Sequence, residues 1–381
     1  MFELDSFLHR QREQGLYRAR MTCNGMQGPV QICDGKPLLS FCSNDYLGLA
    51  ADSRIIKSLR DATEKYGVGS GAAHLINGHT SAHHALEEEL AEFTGRDRAL
   101  LFSTGYMANL GVVSALLERN DDIVADKLVH ASLLDAAKLS GAKLRRYPHA
   151  DVSALALRLE KPYSSRRLVV TDGVFSMDGD IAPLPEIINQ IKDPDTSILV
   201  DDAHGFGVLG QRGLGCVEHF GCNDDVDILV GTLGKAFGTF GAFVAGSEGL
   251  IETLIQSARS YIFTTALPPA IAEATRTSLK IVQNENDRRE KCQALIAQFR
   301  MGAQQLGLNL ANSTTPIQPV IVGSAEQAVK MSNALAEQGI LVSAIRPPTV
   351  PVGTARLRIT FSAAHDEQQV ERLLCALESL L

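Results

Sequence analysis

The chain has 381 residues, which at about 150 residues per domain predicts two or three domains and excludes a single small binding module. Hydrophobic residues make up 45% and charged residues 21%, so a large core can form. The net charge of −8 argues against nonspecific nucleic-acid binding. Because there is no stretch of about 18 apolar residues and the N-terminus is acidic, we expect a cytoplasmic protein without a membrane span or a secretion signal.

The seven cysteines are scattered singly along the chain, without a Cys-x-x-Cys pair. Disulfide frameworks are typical of small secreted proteins, whereas this chain is long and its number of cysteines is odd. We therefore expect reduced thiols, and none of them lies in a sequence setting that would activate it for catalysis.

Short apolar runs alternate with longer amphipathic ones between residues 98 and 246. Strands are predicted at residues 99–102, 123–125, 143–147, 168–170, 197–200 and 227–230. Helices are predicted between them, at residues 107–117, 132–139, 155–160 and 183–192. Continuous apolar strands separated by helices indicate an α/β fold with a mainly parallel sheet covered on both faces.

The pattern changes after the two prolines at residues 268–269. The sequence then predicts a long helical region at residues 270–306 and helices at residues 325–338 and from 366 onward. Strands are predicted at residues 340–344 and 355–360, and a further element at residues 318–322. This order predicts a smaller α+β domain over residues 286–381, beside a large domain over residues 51–285. We expect residues 1–50 to associate with the small domain and the proline-rich residues 346–351 to form an extended loop.

A single lysine, Lys235, lies among glycines and apolar residues directly after the predicted strand 227–230. A lysine that is removed from water has a lowered pKa and becomes a nucleophilic amine. Taken alone, a surface lysine on a glycine-rich turn explains this pattern equally well. A nucleotide-binding P-loop is excluded, because the required spacing is not met and Ala236 follows the lysine.

Asp201 ends the predicted strand 197–200, and His204 follows three residues later. The carboxyl end of such a strand is the edge at which open α/β sheets bind ligands. A carboxylate at this edge needs a cation or hydrogen-bond donors. An isolated Asp-x-x-His is more often a loop cap, but Lys235 follows the next strand and favours a functional interpretation.

A possible phosphate site occurs where residues 99–109 run from a strand through Ser103, Thr104 and Gly105 into a helix. Free amides and the positive end of the helix dipole favour an anion at such a turn. An ordinary helix N-cap from Ser103 or Thr104 explains the same residues.

Two further motifs are set aside. Residues 205–210 match Gly-x-Gly-x-x-Gly, but residues 211–215 cannot form the helix that a dinucleotide site requires. His79 and His83 stand four apart with Glu87 four further on, which is a conceivable metal-binding face. Because an ordinary amphipathic helix follows, we expect solvated histidines and no metal.

A buried lysine, a strand-end aspartate, a nearby histidine and a phosphate site together match the demands of pyridoxal 5′-phosphate (PLP). The sequence resembles the α-oxoamine synthases, a family of fold-type-I PLP enzymes, and within it the members of biotin synthesis. The resemblance covers nearly the whole chain. Beside the aspartate–histidine and lysine segments, its motifs are residues 40–49, 69–71, 129–133, 172–179 and 346–351.

The resemblance implies the catalytic groups. Lys235 would hold PLP as a Schiff base, and Asp201 would pair with the pyridinium nitrogen. His130 would stack on the ring of the cofactor.

The resemblance also implies the remaining cofactor contacts. His204 and Ser176 would contact the phenolic oxygen, and Thr232 would hold the phosphate together with the amides of Gly105 and Tyr106.

The implied substrate contacts are Arg18, Asn44, His130, Arg346 and Thr349. Members of the family are homodimers with sites at the subunit interface, so residues 69–74 or 263–265 would serve the partner's site.

The resemblance implies a decarboxylative condensation of L-alanine with a pimeloyl thioester, whose carrier is either coenzyme A or an acyl carrier protein. Two alternatives remain open. One is a glycine C-acyltransferase of the same family, and the other is a noncatalytic PLP-binding protein on the same fold.

Overall fold

The computed structural model describes residues 4–13, 16–163 and 165–381. In chain order the strands are β1 (Cys23–Asn24), β2 (Val30–Cys33), β3 (Lys36–Ser40), β4 (Arg98–Phe102), β5 (Asp122–Asp126), β6 (Lys143–Tyr147), β7 (Arg167–Asp172), β8 (Thr196–Asp201), β9 (Ile228–Thr232), β10 (Ala242–Gly246), β11 (Ile317–Gly323), β12 (Ile340–Leu341), β13 (Ser343–Ile345) and β14 (Ala355–Thr360).

The α-helices are α1 (Leu4–Glu13), α2 (Ser53–Tyr66), α3 (Ser81–Thr94), α4 (Gly105–Leu116), α5 (Ala131–Ser140), α6 (Val152–Leu159), α7 (Leu184–Gln190), α8 (Cys216–Phe220), α9 (Glu248–Ser257), α10 (Arg259–Ile262), α11 (Pro269–Asn284), α12 (Asn286–Gln305), α13 (Ala325–Glu337) and α14 (Glu367–Glu378). A single π-helical turn, His74–Gly78, precedes α3, and a short 3₁₀ turn, Asn223–Asp225, precedes β9.

The largest sheet has seven strands in the order β4-β10-β9-β8-β7-β5-β6. The strands from β9 to β6 are all parallel, whereas β10 is antiparallel to both of its neighbours, β4 and β9. It follows that β4 runs in the same direction as the parallel strands. The carboxyl ends of these six strands therefore lie at one edge of the sheet, and the segments that follow them meet there.

The two faces of this sheet bury separate apolar clusters. On β8, Ile198 and Val200 belong to one cluster and Leu199 to the other, as the period of two in a strand requires. Helices α4, α5 and α9 contribute to the cluster that contains Leu199. Burial on both faces explains the continuous apolar strands, so the predicted α/β class is confirmed.

A third apolar cluster joins the C-terminal part of the chain to its N-terminal segment. It packs Leu39 and Phe41 against residues of α12, α13, β14 and α14. Two smaller sheets frame it, with the orders β11-β14-β13 and β1-β2-β3-β12. Strand β3 pairs in parallel with β12, which joins residues 36–40 to the C-terminal part of the chain.

The structure corrects three predictions about local elements. Strand β10 was not predicted, because its glycine-rich surroundings conceal a short apolar run. The predicted strand 340–344 is two strands, β12 and β13, which pair in different sheets. The helical region 270–306 is divided at Glu285, which is non-helical with a ψ of 73°.

The structure also joins Cys23 and Cys33 by a disulfide, so the expectation of reduced thiols is wrong for this pair. Antiparallel pairing of β1 with β2 places the two residues opposite each other, with 4.1 Å between their Cα atoms. The strand register creates this proximity. The other five cysteines are free.

Among the described residues, no helix combines the length and the apolarity that a membrane crossing requires.

Candidate active site

Polar residues end three neighbouring parallel strands of the large sheet. They are Asp172 on β7, Asp201 on β8 and Thr232 on β9. Asp172 and Asp201 are paired in register, so two carboxylates stand side by side at the edge where ligands bind. Burial and the nearby charge of Asp201 raise the pKa of Asp172 well above its usual value.

Lys235 lies in the turn that connects β9 to β10. A Cβ atom on Gly238 would collide with the backbone of Ala50, and the φ of Gly238 is +65°, so only glycine fits this close turn. The turn directs Lys235 Nζ to within 2.9 Å of His204 Nε2. Burial lowers the pKa of Lys235 to about 8, although the attraction of Asp201 and Asp172 opposes this shift.

A chain of hydrogen bonds continues from Lys235 through His204 to the N-terminal segment. His204 Nδ1 is 2.7 Å from the Tyr46 hydroxyl, which donates to Asn44 Oδ1 at 3.1 Å. Because the hydroxyl has a single hydrogen, it accepts from His204 Nδ1, and His204 Nε2 then accepts from Lys235. Burial and the charges of Lys235 and Arg358 lower the pKa of His204, which keeps this imidazole neutral.

Arg358, on β14, is the last member of this series of hydrogen bonds. Its guanidinium donates to Asn44 Oδ1 at 3.3 Å and to the backbone oxygen of Ser176 at 2.7 Å. Arg358 is buried within β14. It therefore connects the small C-terminal sheet to the loop after β7, and so to the site.

A second set of hydrogen bonds fixes Asp201. Asn109, which is buried on α4, donates to Asp201 Oδ2 at 2.6 Å and to Ser132 Oγ at 2.8 Å. Ser132 Oγ lies 2.7 Å from His130 Nδ1, and the backbone N–H of His130 donates to Asp172 Oδ1. Asp201 and His130 are thus held through the same two side chains.

The turn predicted to bind phosphate opens helix α4. Thr104 is its N-cap, and its side chain accepts from the N–H of Met107, so the ordinary capping interpretation is correct for this hydroxyl. The first amides of the helix, those of Gly105 and Tyr106, have no partner within the helix. A Cβ atom on Gly105 would meet nothing within 4 Å, so the space beside this helix end is open. The capped turn therefore still offers free amides to an anion.

The other predicted residues fall into two groups. Asn44 is part of the hydrogen-bond chain described above. Ser176 and Thr232 are half-buried; the backbone oxygen of Ser176 accepts from Arg358, and Thr232 ends β9, the neighbour of β8. Arg18 and Thr349 are exposed. Within residues 16–163 and 165–381, neither of their side chains hydrogen-bonds to this network.

Sequence reasoning missed Tyr46, Asn109, Asp172 and Arg358 as members of the site. Asn109 lies one helical turn after the phosphate turn, which is a usable signal. Arg358 lies two residues after Arg356 on β14, whose other residues fit a core strand, and both arginines are buried. A buried arginine on a core strand requires acceptors, and these could have been sought.

The two motifs that were set aside have different outcomes. Residues 203–213 form turns and bends, and α8 begins only at Cys216, so no dinucleotide-type helix follows the glycines. His83, however, is fully buried. It accepts from the N–H of Thr80 and donates to the backbone oxygen of Leu267, so its predicted solvation is wrong.

Comparison with known proteins agrees with this geometry. Residues 36–377 match the model of the family described as aminotransferase class I and II. The chain is 60% identical over 380 residues to an 8-amino-7-oxononanoate synthase of Thioalkalivibrio sulfidiphilus, covering 99% of this chain and 97% of the relative. The chain belongs to the 8-amino-7-oxononanoate synthase family. A family member from Pseudomonas fluorescens is 59% identical over 377 residues, with coverage of 99% and 96%.

Solved structures extend the likeness to the fold. A serine palmitoyltransferase of Sphingomonas wittichii superposes with a TM-score of 0.94 at 34% identity, covering 100% of this chain and 98% of that one. A serine palmitoyltransferase from S. paucimobilis with a bound PLP–myriocin aldimine superposes with a TM-score of 0.92 at 32% identity, covering 99% of this chain and 96% of that one. The 8-amino-7-oxononanoate synthase of Francisella tularensis superposes with a TM-score of 0.79 at 36% identity, covering 90% of this chain and 97% of that one. The predicted fold-type-I architecture and family resemblance are confirmed.

Proposed function

We propose that this protein condenses L-alanine with a pimeloyl thioester, releasing carbon dioxide and the free thiol and forming 8-amino-7-oxononanoate for biotin synthesis. The observation that carries the proposal is Lys235, a half-buried amine with a lowered pKa whose Nζ lies 2.9 Å from His204 Nε2 and is attracted by the charge of the strand-end carboxylate Asp201. Relatives that are about 60% identical over nearly their whole length and carry the name of this synthase support the same reaction.

The residues at the sheet edge fit PLP. An amine whose pKa burial lowers to about 8 suits covalent attachment of an aldehyde at Lys235. The carboxylate of Asp201 suits a protonated ring nitrogen, and the open space at the start of α4 suits a phosphate. A PLP-bound structure among the fold's close neighbours supports the same cofactor.

When bound, PLP withdraws electrons from the α-carbon of an amino acid, which is what condensation and loss of carbon dioxide both require. Asp201 would keep the ring nitrogen protonated. Asn109 orients this carboxylate by donating to Asp201 Oδ2, so the negative charge keeps a fixed direction. His130, held beside it through Ser132, would cover one face of the ring.

Lys235 is also placed to move a proton. Its pKa of about 8 means that a minor fraction of the amine is neutral near pH 7 and can accept a proton at Nζ. His204 remains neutral and accepts from Lys235 through Nε2, which fixes the direction of the amine. Lys235, whose amine would be released when alanine takes its place on PLP, would therefore take the α-proton of alanine and later return a proton to the product.

The thioester carrier is either coenzyme A or an acyl carrier protein. Arg18, Arg346 and Thr349 are the proposed contacts to the substrate. We further propose a homodimer. Exposed apolar side chains support it, because Leu75, Ile76 and Phe263 are 50%, 79% and 69% exposed. Such side chains are typical of an interface between subunits.

The test is a turnover assay with purified protein, PLP and pimeloyl-coenzyme A, with L-alanine or glycine as the amino acid. We expect carbon dioxide and an amino ketone of the mass of 8-amino-7-oxononanoate from alanine. Preference for glycine with a short acyl thioester would instead assign a glycine C-acyltransferase. Absence of turnover with either amino acid, when pimeloyl-coenzyme A and the pimeloyl-acyl carrier protein are both supplied and PLP is bound, would assign the noncatalytic alternative.

The matched variants are Lys235→Ala and Lys330→Ala, of which the second removes an exposed lysine on α13. Lys235→Ala should abolish both turnover and the visible absorption of protein-bound PLP, whereas Lys330→Ala should leave both unchanged. An unaltered spectrum in Lys235→Ala would disprove the assignment of this lysine.

A further inference from the structure

A group of histidines surrounds the start of helix α3, apart from the residues assigned above to the reaction. Four of the ten histidines of the chain lie between residues 74 and 84. Three of them, His74, His79 and His84, line a cavity of about 280 Å³ together with Glu87. A carboxylate that faces imidazoles across a cavity is a typical arrangement of metal ligands.

Three side chains present ligand atoms to one point. His79, His84 and Glu87 each offer one atom, and these atoms all lie within 4.8 Å of one another. His79 Nε2 and Glu87 Oε2 are 4.0 Å apart. His84 and Glu87 are three residues apart on α3 and therefore share a face, while His79 reaches the same point from the segment before the helix.

The second atom of two of these ligands is already engaged. His79 Nδ1 lies 3.0 Å from His74 Nδ1, and His74 stacks on Tyr261 with 4.9 Å between the ring centroids. Glu87 Oε1 accepts from the backbone N–H of Leu101 at 2.9 Å. Such outer contacts orient metal ligands, and here they leave His79 Nε2 and Glu87 Oε2 facing each other.

The third ligand can complete the site by a small movement. Bonds of about 2.0–2.1 Å in a tetrahedral zinc site separate the ligand atoms by about 3.3 Å. The side chain of His84 is 65% exposed, and its contact with Glu88 is a surface pair of low energy. His84 is therefore free to turn toward His79 and Glu87.

We propose that His79, His84 and Glu87 bind a divalent transition-metal ion of the zinc type, with water in the fourth position. Two imidazoles and one carboxylate are a ligand set that zinc uses. The ion would tie the segment around residues 74–79 to α3. None of the three proposed ligands is among the residues assigned to the PLP reaction, so the proposal stands or fails independently of the proposed function.

The test is calorimetric titration of the metal-free, PLP-loaded protein with Zn²⁺, repeated for His84→Ala, Glu87→Gln and His9→Ala. His9 is the matched control, because it is an exposed helical histidine 3.2 Å from the glutamate four residues later, as His84 is from Glu88. We expect one tight Zn²⁺ per chain in the wild type and in His9→Ala. Both cavity variants should bind at least about tenfold more weakly.

Absorption of bound Co²⁺ gives the second readout, since a tetrahedral site produces intense visible bands that solvated Co²⁺ lacks. These bands should be present in the wild type and lost in His84→Ala. Equal Zn²⁺ affinity in His84→Ala and the wild type would overturn the proposal, as would wild-type protein without stoichiometric binding. His84 is exposed, so this variant remains decisive even if Glu87→Gln fails to fold.

Discussion

Two regions of the site differ in how the fold holds them. The proposed cofactor end has two sets of hydrogen bonds of 2.6–2.9 Å between side chains that are mostly buried. One set joins Lys235, His204 and Tyr46, and the other joins Asn109 to Asp201. The substrate side, defined by residues 18, 346 and 349, includes the exposed side chains of Arg18 and Thr349.

The chain therefore organises one half of its site before any ligand binds. Buried polar groups must find partners within the protein, so the core dictates their directions. Exposed groups exchange contacts with water, and a substrate or a second subunit can direct them at little cost. We therefore expect changes at the cofactor end to alter chemistry, and changes at the substrate side to alter affinity.

The largest effect is expected for Asp201→Asn. An amide cannot balance a positive ring nitrogen, and its N–H₂ group would face that of Asn109. We expect kcat/KM for alanine to fall about a thousandfold, the scale on which loss of one preorganised electrostatic group acts. Steady-state kinetics measures this. A loss below about tenfold would contradict the assigned role of Asp201.

The next effect concerns His149, which lies beside the same sheet edge but outside the cofactor end. Its nitrogens are 3.1 Å from Asp126 Oδ1 and 2.8 Å from Asp180 Oδ2. Burial alone would lower the pKa of His149, but the two carboxylates outweigh it and raise the pKa to about 10. His149→Ala should lower the free energy of unfolding by about 3 kcal/mol near pH 6.

The pH dependence of this effect has a definite sign. A raised folded-state pKa contributes stability that is complete below the unfolded value of about 6.5 and is lost as the pH rises through about 10. Urea unfolding at several pH values should show that the difference in free energy of unfolding between the wild type and His149→Ala becomes smaller as the pH rises over this range. The exposed His219→Ala is the control. A difference in free energy of unfolding that grows with pH would refute the stabilising role of protonated His149.

A smaller effect is expected for Asn109→Ala, which removes one donor from Asp201 without removing the carboxylate. Loss of a hydrogen bond to a charged buried group costs about 1.5–3 kcal/mol, or roughly ten- to a hundredfold in kcat/KM. Asn312→Ala, at an exposed asparagine, is the matched control. Equal kinetics in the two variants would show that Asp201 is positioned without Asn109.

The smallest effect is expected on the substrate side, for Thr349→Val. The substitution removes an exposed hydroxyl, so we expect KM for the thioester to rise about tenfold while kcat and the PLP absorption stay unchanged. Thr314→Val, another exposed threonine, provides the comparison. A reduced kcat with unchanged KM would move Thr349 from substrate binding to the chemistry.

The meeting of Asp201, His204 and Lys235 at one sheet edge could be predicted because these residues follow local patterns. An apolar strand that ends in Asp201, and a lysine just after the next strand, indicate one sheet edge without any knowledge of strand order. The roles of Tyr46, Asn109 and Arg358 could not be found in this way. Their partners lie 158, 92 and 314 residues away in the chain.

The sequence alone establishes the α/β class, most helices and strands, the family, and the place of Asp201, His204 and Lys235 after neighbouring strands of the sheet. Three features depend on the packing of the whole chain: β10 runs antiparallel to its neighbours in the large sheet, residues 340–345 divide between two sheets, and Cys23 lies opposite Cys33. Periodicity and turn residues act over a few positions. Strand order, register and the partners of buried polar groups depend on which distant segments pack together, and local pattern does not contain that information.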